Sequence, residues 1–275
     1  MEKAVKIFNE NFSFDVTSIL DLKYLDFQEE SVSPRVFTQE IQGTDGVLLG
    51  SITFDPFNLA LNFSFRGVDN NDLLLLKQKL RGLFFRREPY YVWHSDAPGK
   101  KYAVYCDGSE NEDLTSELAT FKVNFVVYKG YSESLDDTSE FDLKNGRWQF
   151  ESVAVADDSI KYTHNTDYFE IYNGSNDTIN PLLKHKLQIE IIADAPNGIK
   201  IRNLTTEDDF HYKKPLTPGK KLILQGVHPL LDGNRVGIHT NWQWLTLAPG
   251  YNTIKIEDDD IKSIETKWKF NYIFR

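Results

Sequence analysis

The sequence predicts a mainly β protein of two domains, with a single helix in the N-terminal one. Three observations carry this. Short segments alternate apolar and polar residues at period two, the spacing of half-buried antiparallel strands. Glycine, proline, Asn-Gly and Asp-Gly signals separate these segments at the short intervals of a β-sandwich. One stretch, DNNDLLLLKQKLRGLFF from Asp69 to Phe85, has helical periodicity instead. Its Leu73, Leu76, Leu80 and Leu83 line one face, with Lys77, Gln78, Lys79 and Arg81 largely opposite. Asn71 or Asp72 is the expected cap, because a short side-chain oxygen accepts an orphan backbone N–H. Four consecutive leucines exceed what one sheet face covers, so Leu74 or Leu75 needs a second cover.

Ahead of the helix, short strand signals fall at Val5–Phe8, Phe12–Val16 and Val36–Ile41. Asp21–Glu30 is ambiguous between helix and extended chain. Asn58–Phe65 is clearer: Leu59, Leu61, Phe63 and Phe65 point one way, Asn58, Ala60, Asn62 and Ser64 the other. After the helix, Glu88-Pro89 stops the run. Tyr90–His94 and Tyr102–Cys106 read as a hairpin around Pro98-Gly99, and Asp107–Leu118 as a polar connection. Ala119–Tyr128 alternates again. Lys129–Glu140, KGYSESLDDTSE, turns polar and reads as an exposed connection, so the expected domains are 1–132 and 133–275.

In the second domain, Asn145-Gly146 favours a two-residue primed turn pairing Leu143 with Trp148 and Phe141 with Phe150. Strands are expected at Tyr168–Tyr172, Leu187–Ile192, Ile199–Asn203, Leu222–Gln225, Trp242–Leu247 and Trp268–Phe274. Trp242 and Trp244 then share a face. They read as core before they read as a platform for a sugar ring.

Composition limits function. The formal charge of -10 divides evenly, with -5 on residues 1–132 and -5 on 133–275, and no basic patch speaks for tight nucleic-acid binding. One cysteine, Cys106, excludes an internal disulfide and a cysteine zinc site. The six histidines show no metal-binding spacing, and neither His94 nor Cys106 has ligand partners nearby in sequence. Glu257-Asp258-Asp259-Asp260 lacks the alternating spacing of a calcium loop and reads as a solvated turn. There is no nucleophile elbow and no P-loop. The expectation is a protein with no catalytic, cofactor or metal residues, not an enzyme. No apolar run suggests a signal peptide or a membrane span.

The order of segments adds to this reading. The alternating strand Asn58–Phe65 leads into the leucine helix, the aromatic hairpin and TFKVNFVVYKGYSES. FEIYNGSNDTINP, NGIKIRN, NWQWLTLAPGYNTIKI and an aromatic final strand follow. With Asn173-Gly174 and Pro181, and Leu247-x-Pro249-Gly250-x-Asn252, this resembles the distal tail protein (Dit) family of siphophages infecting Gram-positive bacteria. The Asp-Pro-Tyr often found before the boundary is replaced by Tyr128-Lys129-Gly130-Tyr131, and Thr205–Val236 is longer than a minimal connection.

The resemblance implies a virion protein of the tail tip, made in the host cytoplasm. Its N-terminal domain would build a homo-hexameric ring, and a galectin-like antiparallel β-sandwich would follow. The ring would join the tail-tube protein to a tail-associated lysin or tail-fibre protein and hold receptor-binding proteins. DNA would pass through its channel without tight binding. Some of Asp69, Asp72, Asp107, Glu110, Glu112 and Asp113 would then face the lumen, where acid repels phosphate. His239-Thr240-Asn241 lacks the arginine a galectin site would add, so no glycan site is carried over. The alternative is a carbohydrate-binding β-sandwich module for adsorption to the host surface.

Overall fold

The computed structural model describes residues 3–115, 117–142, 148, 160–257 and 260–275, without the side chains of residues 111–113. The chain divides into two compact units, Met1–Glu133 with Arg275, and Ser134–Phe274. Both are mainly β, and one α-helix is present among the described residues.

The first unit holds β1 (Val5–Phe8), β2 (Ser13–Asp15), β3 (Leu22–Glu29), β4 (Pro34–Gln39), β5 (Leu48–Phe54) and β6 (Phe57–Arg66). Then come α1 (Asn70–Phe84), β7 (Tyr90–His94), β8 (Lys100–Asp113) and β9 (Leu118–Val127), with β10 (Ser132–Ser134) where the units change. Hydrogen bonds order the sheet β2-β1-β7-β8-β9-β6-β3. Period-two alternation explains its centre: Leu59, Leu61 and Phe63 of β6 are buried, as are Phe121, Val123 and Phe125 of β9. The sheet curls on itself, because Phe27 of β3 lies 4.4 Å from His94 of β7, and the Tyr102 hydroxyl of β8 donates to Glu29. Asp21–Glu30 is thus resolved as strand, with a register shift between Tyr24 and Asp26.

Three expectations for this unit need correction. The cap of α1 is Asp69, whose Oδ1 accepts the N–H groups of Asn71 at 2.8 Å and Asp72 at 3.0 Å. The buried stripe is Leu73, Leu76, Leu80 and Phe84, with Leu83 only half-buried. Asp107–Asp113 is also no loose connection. It extends β8, pairing Gly108–Asp113 with β9 after a register shift at Cys106. A polar outer face hides such a strand in sequence; its backbone pairing creates it.

Nor is the polar stretch Lys129–Glu140 an exposed connection. Ser132, Glu133, Ser134 and Thr138 are all buried. In the first unit Lys129 Nζ meets Glu133 Oε2 at 2.9 Å. In the second, Thr138 Oγ1 donates to the Trp268 carbonyl at 2.8 Å and Asn271 Nδ2 to that of Ser134 at 3.0 Å. Hydrogen-bonded and paired polar groups can be buried because their partners offset the desolvation cost, so composition alone misplaces them.

The second unit contains β11 (Thr163–His164), β12 (Tyr168–Asn173), β13 (Leu187–Asp194), β14 (Ile199–Asn203), β15 (Asp208–Tyr212) and β16 (Leu222–Gln225). β17 (His228–Leu231), β18 (Asn234–Arg235), β19 (Gly250–Glu257), β20 (Ser263–Phe270) and β21 (Ile273–Phe274) complete it. One sheet runs β11-β20-β13-β16-β17-β18 and the other β12-β19-β14-β15, all antiparallel. Trp268 of one sheet meets Phe169 of the other edge-on, with ring centroids 6.2 Å apart. The expected strand Trp268–Phe274 is broken at Asn271 and Tyr272, so Asn271 and Ile273 are buried along with Trp268 and Phe270. The Asn145-Gly146 turn lies outside the described residues, as do Asp258 and Asp259. Glu257 faces Lys200, Arg202 and Lys255.

Candidate functional site

The most unusual surface is the hairpin β4–β5. These strands pair only with each other. Paired residues share a face, so Val36 sits with Ile52 and Pro34 with Phe54, while Leu48 lies across from Gln39. Phe37 is 52% exposed, Leu48 56% and Leu49 60%, and Val36, Ile41, Val47 and Ile52 are exposed as well. A lone two-stranded sheet is marginal in water, and a contiguous apolar patch of this kind marks an interaction surface. An Arg35–Asp55 ion pair sits at the hairpin base.

The outer side of α1 is the second such surface. Leu74 is 56% exposed and Leu75 64%, so both leucines, rather than one, lack cover within the unit.

A third surface is polar. Across β3, β6, β9 and β8 the outward side chains are Asp26, Asn62, Asn124 and Glu110. Asn62 Nδ2 donates to Asp26 at 2.5 Å and Asn124 Nδ2 to Glu110 at 3.1 Å. An open cleft of about 420 Å³ beside them is lined by Glu29, Glu30, Asn58, Asp107, Lys122 and Asn124. Of the six acids named from sequence, Asp107 and Glu110 thus meet around Asn124. Asp69 and Asp72 lie instead at the start of α1, where Asp72 also accepts the Val68 N–H at 2.9 Å. The side chains of Glu112 and Asp113 lie outside the described residues.

His94 is fully buried, with Tyr24 Oη 3.4 Å from Nδ1, and its ring stacks on Tyr102. Among the described residues its Nε2 has no hydrogen-bond partner. Burial, partly offset by Asp96, lowers its pKa from 6.5 to about 4. The unfolded chain therefore binds the extra proton between pH 6.5 and 4, so stability present above 6.5 is lost as pH falls through that window. The expected loss is about 3 kcal/mol, and it should vanish in His94→Phe when denaturation midpoints are compared at pH 7 and pH 4.5. Equal pH dependence in parent and variant would refute this. Cys106 is equally unsuited to chemistry, since burial, partly offset by a backbone hydrogen bond at Gly108, pushes its thiol up to about 11. No three His, Cys, Asp or Glu groups among the described residues are placed to hold a metal.

In the second unit, the expected strand Trp242–Leu247 is not a strand. Buried asparagine carboxamides take its hydrogen bonds. Asn203 Nδ2 donates to the Thr246 carbonyl at 2.7 Å and Asn173 Nδ2 to that of Leu247 at 2.9 Å. Asn252 holds both the N–H and the carbonyl of Ala248. Trp242 leaves the core, its N–H held by Thr240 Oγ1 at 3.2 Å: its φ is +60° and its side chain is 69% exposed, while Trp244 stays half-buried. Asn173, Leu247 and Asn252, which carry the family resemblance in sequence, are the residues that tie this segment down. Gly174 follows for steric reasons, since a Cβ there would lie 2.5 Å from the Tyr272 ring.

Comparison with known proteins agrees with the resemblance. Residues 15–127 match the family model described as a phage tail protein RIFT-related domain. Over 98% of this chain and 99% of the other, the fold matches the crystal structure of Dit from phage SPP1, at 12% identity and a TM-score of 0.69. That protein is described as a paradigm of the hub adsorption apparatus in phages infecting Gram-positive bacteria. A chain of the phage P2 baseplate in its activated conformation with Ca matches over 99% of this chain and 98% of its own, at 10% identity and a TM-score of 0.45. No curated protein matches. Residues 15–127 are thus similar to a phage tail domain, and the chain shares the overall fold of that Dit protein.

Proposed function

We propose that this protein is a structural hub of a phage tail tip, closing through its first unit into a hexameric ring. The observation that carries this is the β4–β5 hairpin. Within the segment that matches the phage tail domain, an apolar two-stranded sheet stands without cover, a state that assembly relieves. The ring joins the tail-tube protein to a lysin or tail-fibre protein and holds receptor-binding proteins. Its channel passes DNA. The acidic, hydrogen-bonded face around Asp26, Asp107 and Glu110 suits such a lumen, since it offers phosphate little to bind. Native mass spectrometry and light scattering across a concentration series, with and without the tail partners, test this. Six-chain species are expected. A monomer under every condition sinks the ring, and tight duplex-DNA binding at physiological salt sinks the channel.

Trp242 supports a second reading, a carbohydrate-binding module. An exposed indole in a backbone conformation fixed by side-chain hydrogen bonds is a platform for a sugar ring. A glycan array on the parent and on Trp242→Ala separates this reading, which requires binding that the substitution abolishes.

A further inference from the structure

We propose that the outer face of α1 is the docking site for the β4–β5 hairpin of a second copy of this chain. The inference rests on the ring reading for the presence of that copy. It adds which surface meets which.

The helix supplies the first argument. Its outward face runs through Leu74, Leu75, Gln78 and Gly82, which three- and four-residue spacing brings together, and the C-cap Phe85 follows them. Three of these are large apolar side chains, and all five are exposed. Gly82 is the telling one. It lies inside the helix, where glycine is unfavourable relative to alanine. Among the described residues nothing explains it, because a Cβ built at Gly82 would meet no atom within 4 Å. A helical glycine on an open apolar face permits another backbone to approach closely. The contrast is Gly50 in the hairpin, where a Cβ would lie 2.9 Å from the Phe37 carbonyl oxygen and the reason is internal.

Charge supplies the second. The segment joining β4 to β5 carries Glu40 and Asp45 beside the exposed Ile41 and Val47. The helix flanks its apolar face with the exposed Lys79 and Arg81. An acidic, apolar tip and a basic, apolar helix face are complementary, and such complementarity fixes register and partner. The patches differ and lie on the same unit, so each copy gives one and receives the other. That is the heterologous contact from which closed rings are built.

The test uses the full chain. Gly82→Leu removes the close approach while adding a better helix former. The thermal midpoint of the dilute monomer should rise, and self-association in analytical ultracentrifugation should weaken at least tenfold. Lys79→Glu/Arg81→Glu and Glu40→Lys/Asp45→Lys should each weaken association, and the four changes combined in one chain should restore it. On a Cys106→Ser background, Leu49→Cys and Leu75→Cys proteins should form disulfide-linked dimers when mixed, in preference to either alone. Association that survives Gly82→Leu and the helix charge reversals, with no cross-link in the mixture, overturns this docking while leaving the ring intact. A parent that never associates overturns the ring as well.

Discussion

Replacing Phe84 by alanine should cost about 3–5 kcal/mol of folding stability, the largest single-residue loss we expect in the first unit. The ring is 1% exposed and lies at the end of α1 where the helix meets the sheet. Its centroid is 5.6 Å from that of Phe125, edge-on, and 6.4 Å from that of Phe63. Truncation removes the buried ring and leaves a void that β6 and β9, held by their ladder, cannot close. The backbone here is anchored independently, since the Tyr90 hydroxyl donates to the Phe84 carbonyl at 2.7 Å. The helix therefore stays in place above the cavity instead of collapsing into it. Leu74→Ala on the exposed side is the control and should change stability by less than about 0.5 kcal/mol. Denaturant midpoints decide between them, and equal effects of the two changes would mean that the helix presents a different face.

Glu133→Ala comes second, at about 2–4 kcal/mol, because it leaves a half-buried ammonium without its carboxylate. The Glu133 side chain is 3% exposed and that of Lys129 23%. Burial alone would lower the Lys129 pKa, but Glu133 more than offsets it and the net shift is upward, so the lysine is charged. The remaining contacts, Tyr91 Oη at 3.2 Å and the Tyr91 and Tyr131 rings, do not neutralise it. Replacing both partners with apolar residues, Lys129→Met with Glu133→Leu, should recover most of the loss, since the desolvation cost disappears with the charges. A single Glu133→Ala variant that melts with the parent would show that the pair contributes nothing.

Where one force decided the local structure, the sequence was readable. β6 and β9 alternate strictly because one face meets the core, and Leu73, Leu76 and Leu80 keep helical spacing for the same reason. Asn173, Leu247 and Asn252 stood out as a pattern, but their task, side chains bonding to a distant backbone, is invisible without coordinates. Trp242-Gln243-Trp244-Leu245 alternates like a strand, but Thr240 Oγ1 and Asn241 Oδ1 take the N–H groups of Trp242 and Gln243. The β5 run LLGSITF opens on two adjacent leucines and a glycine, which blurs its period of two, and the face that carries Leu48, Ile52 and Phe54 is left uncovered. Exposure is a property of the fold, so the hairpin surface could not be found by hydropathy. Asp69, Asn71 and Asp72 all carry a capping oxygen, so composition does not single out Asp69, two or three residues ahead of the expected caps.

The locked asparagines also bear on how the molecule ages. Asn-Gly sequences are chemically fragile, because the glycine nitrogen attacks the preceding side-chain carbonyl and the amide is lost as ammonia. At Asn173-Gly174 that attack is hindered. The Asn173 carboxamide is fully buried, its oxygen accepts the Ser175 N–H at 3.1 Å, and its nitrogen is held by the Leu247 carbonyl. Were the reaction to occur, the product aspartate would accept hydrogen bonds without donating any. A negative oxygen would then face the Leu247 carbonyl where a donor had been, and the tether on the Trp242 segment would become a repulsion. The same hydrogen bonds that shape this loop therefore shield the bond whose chemical decay would undo it.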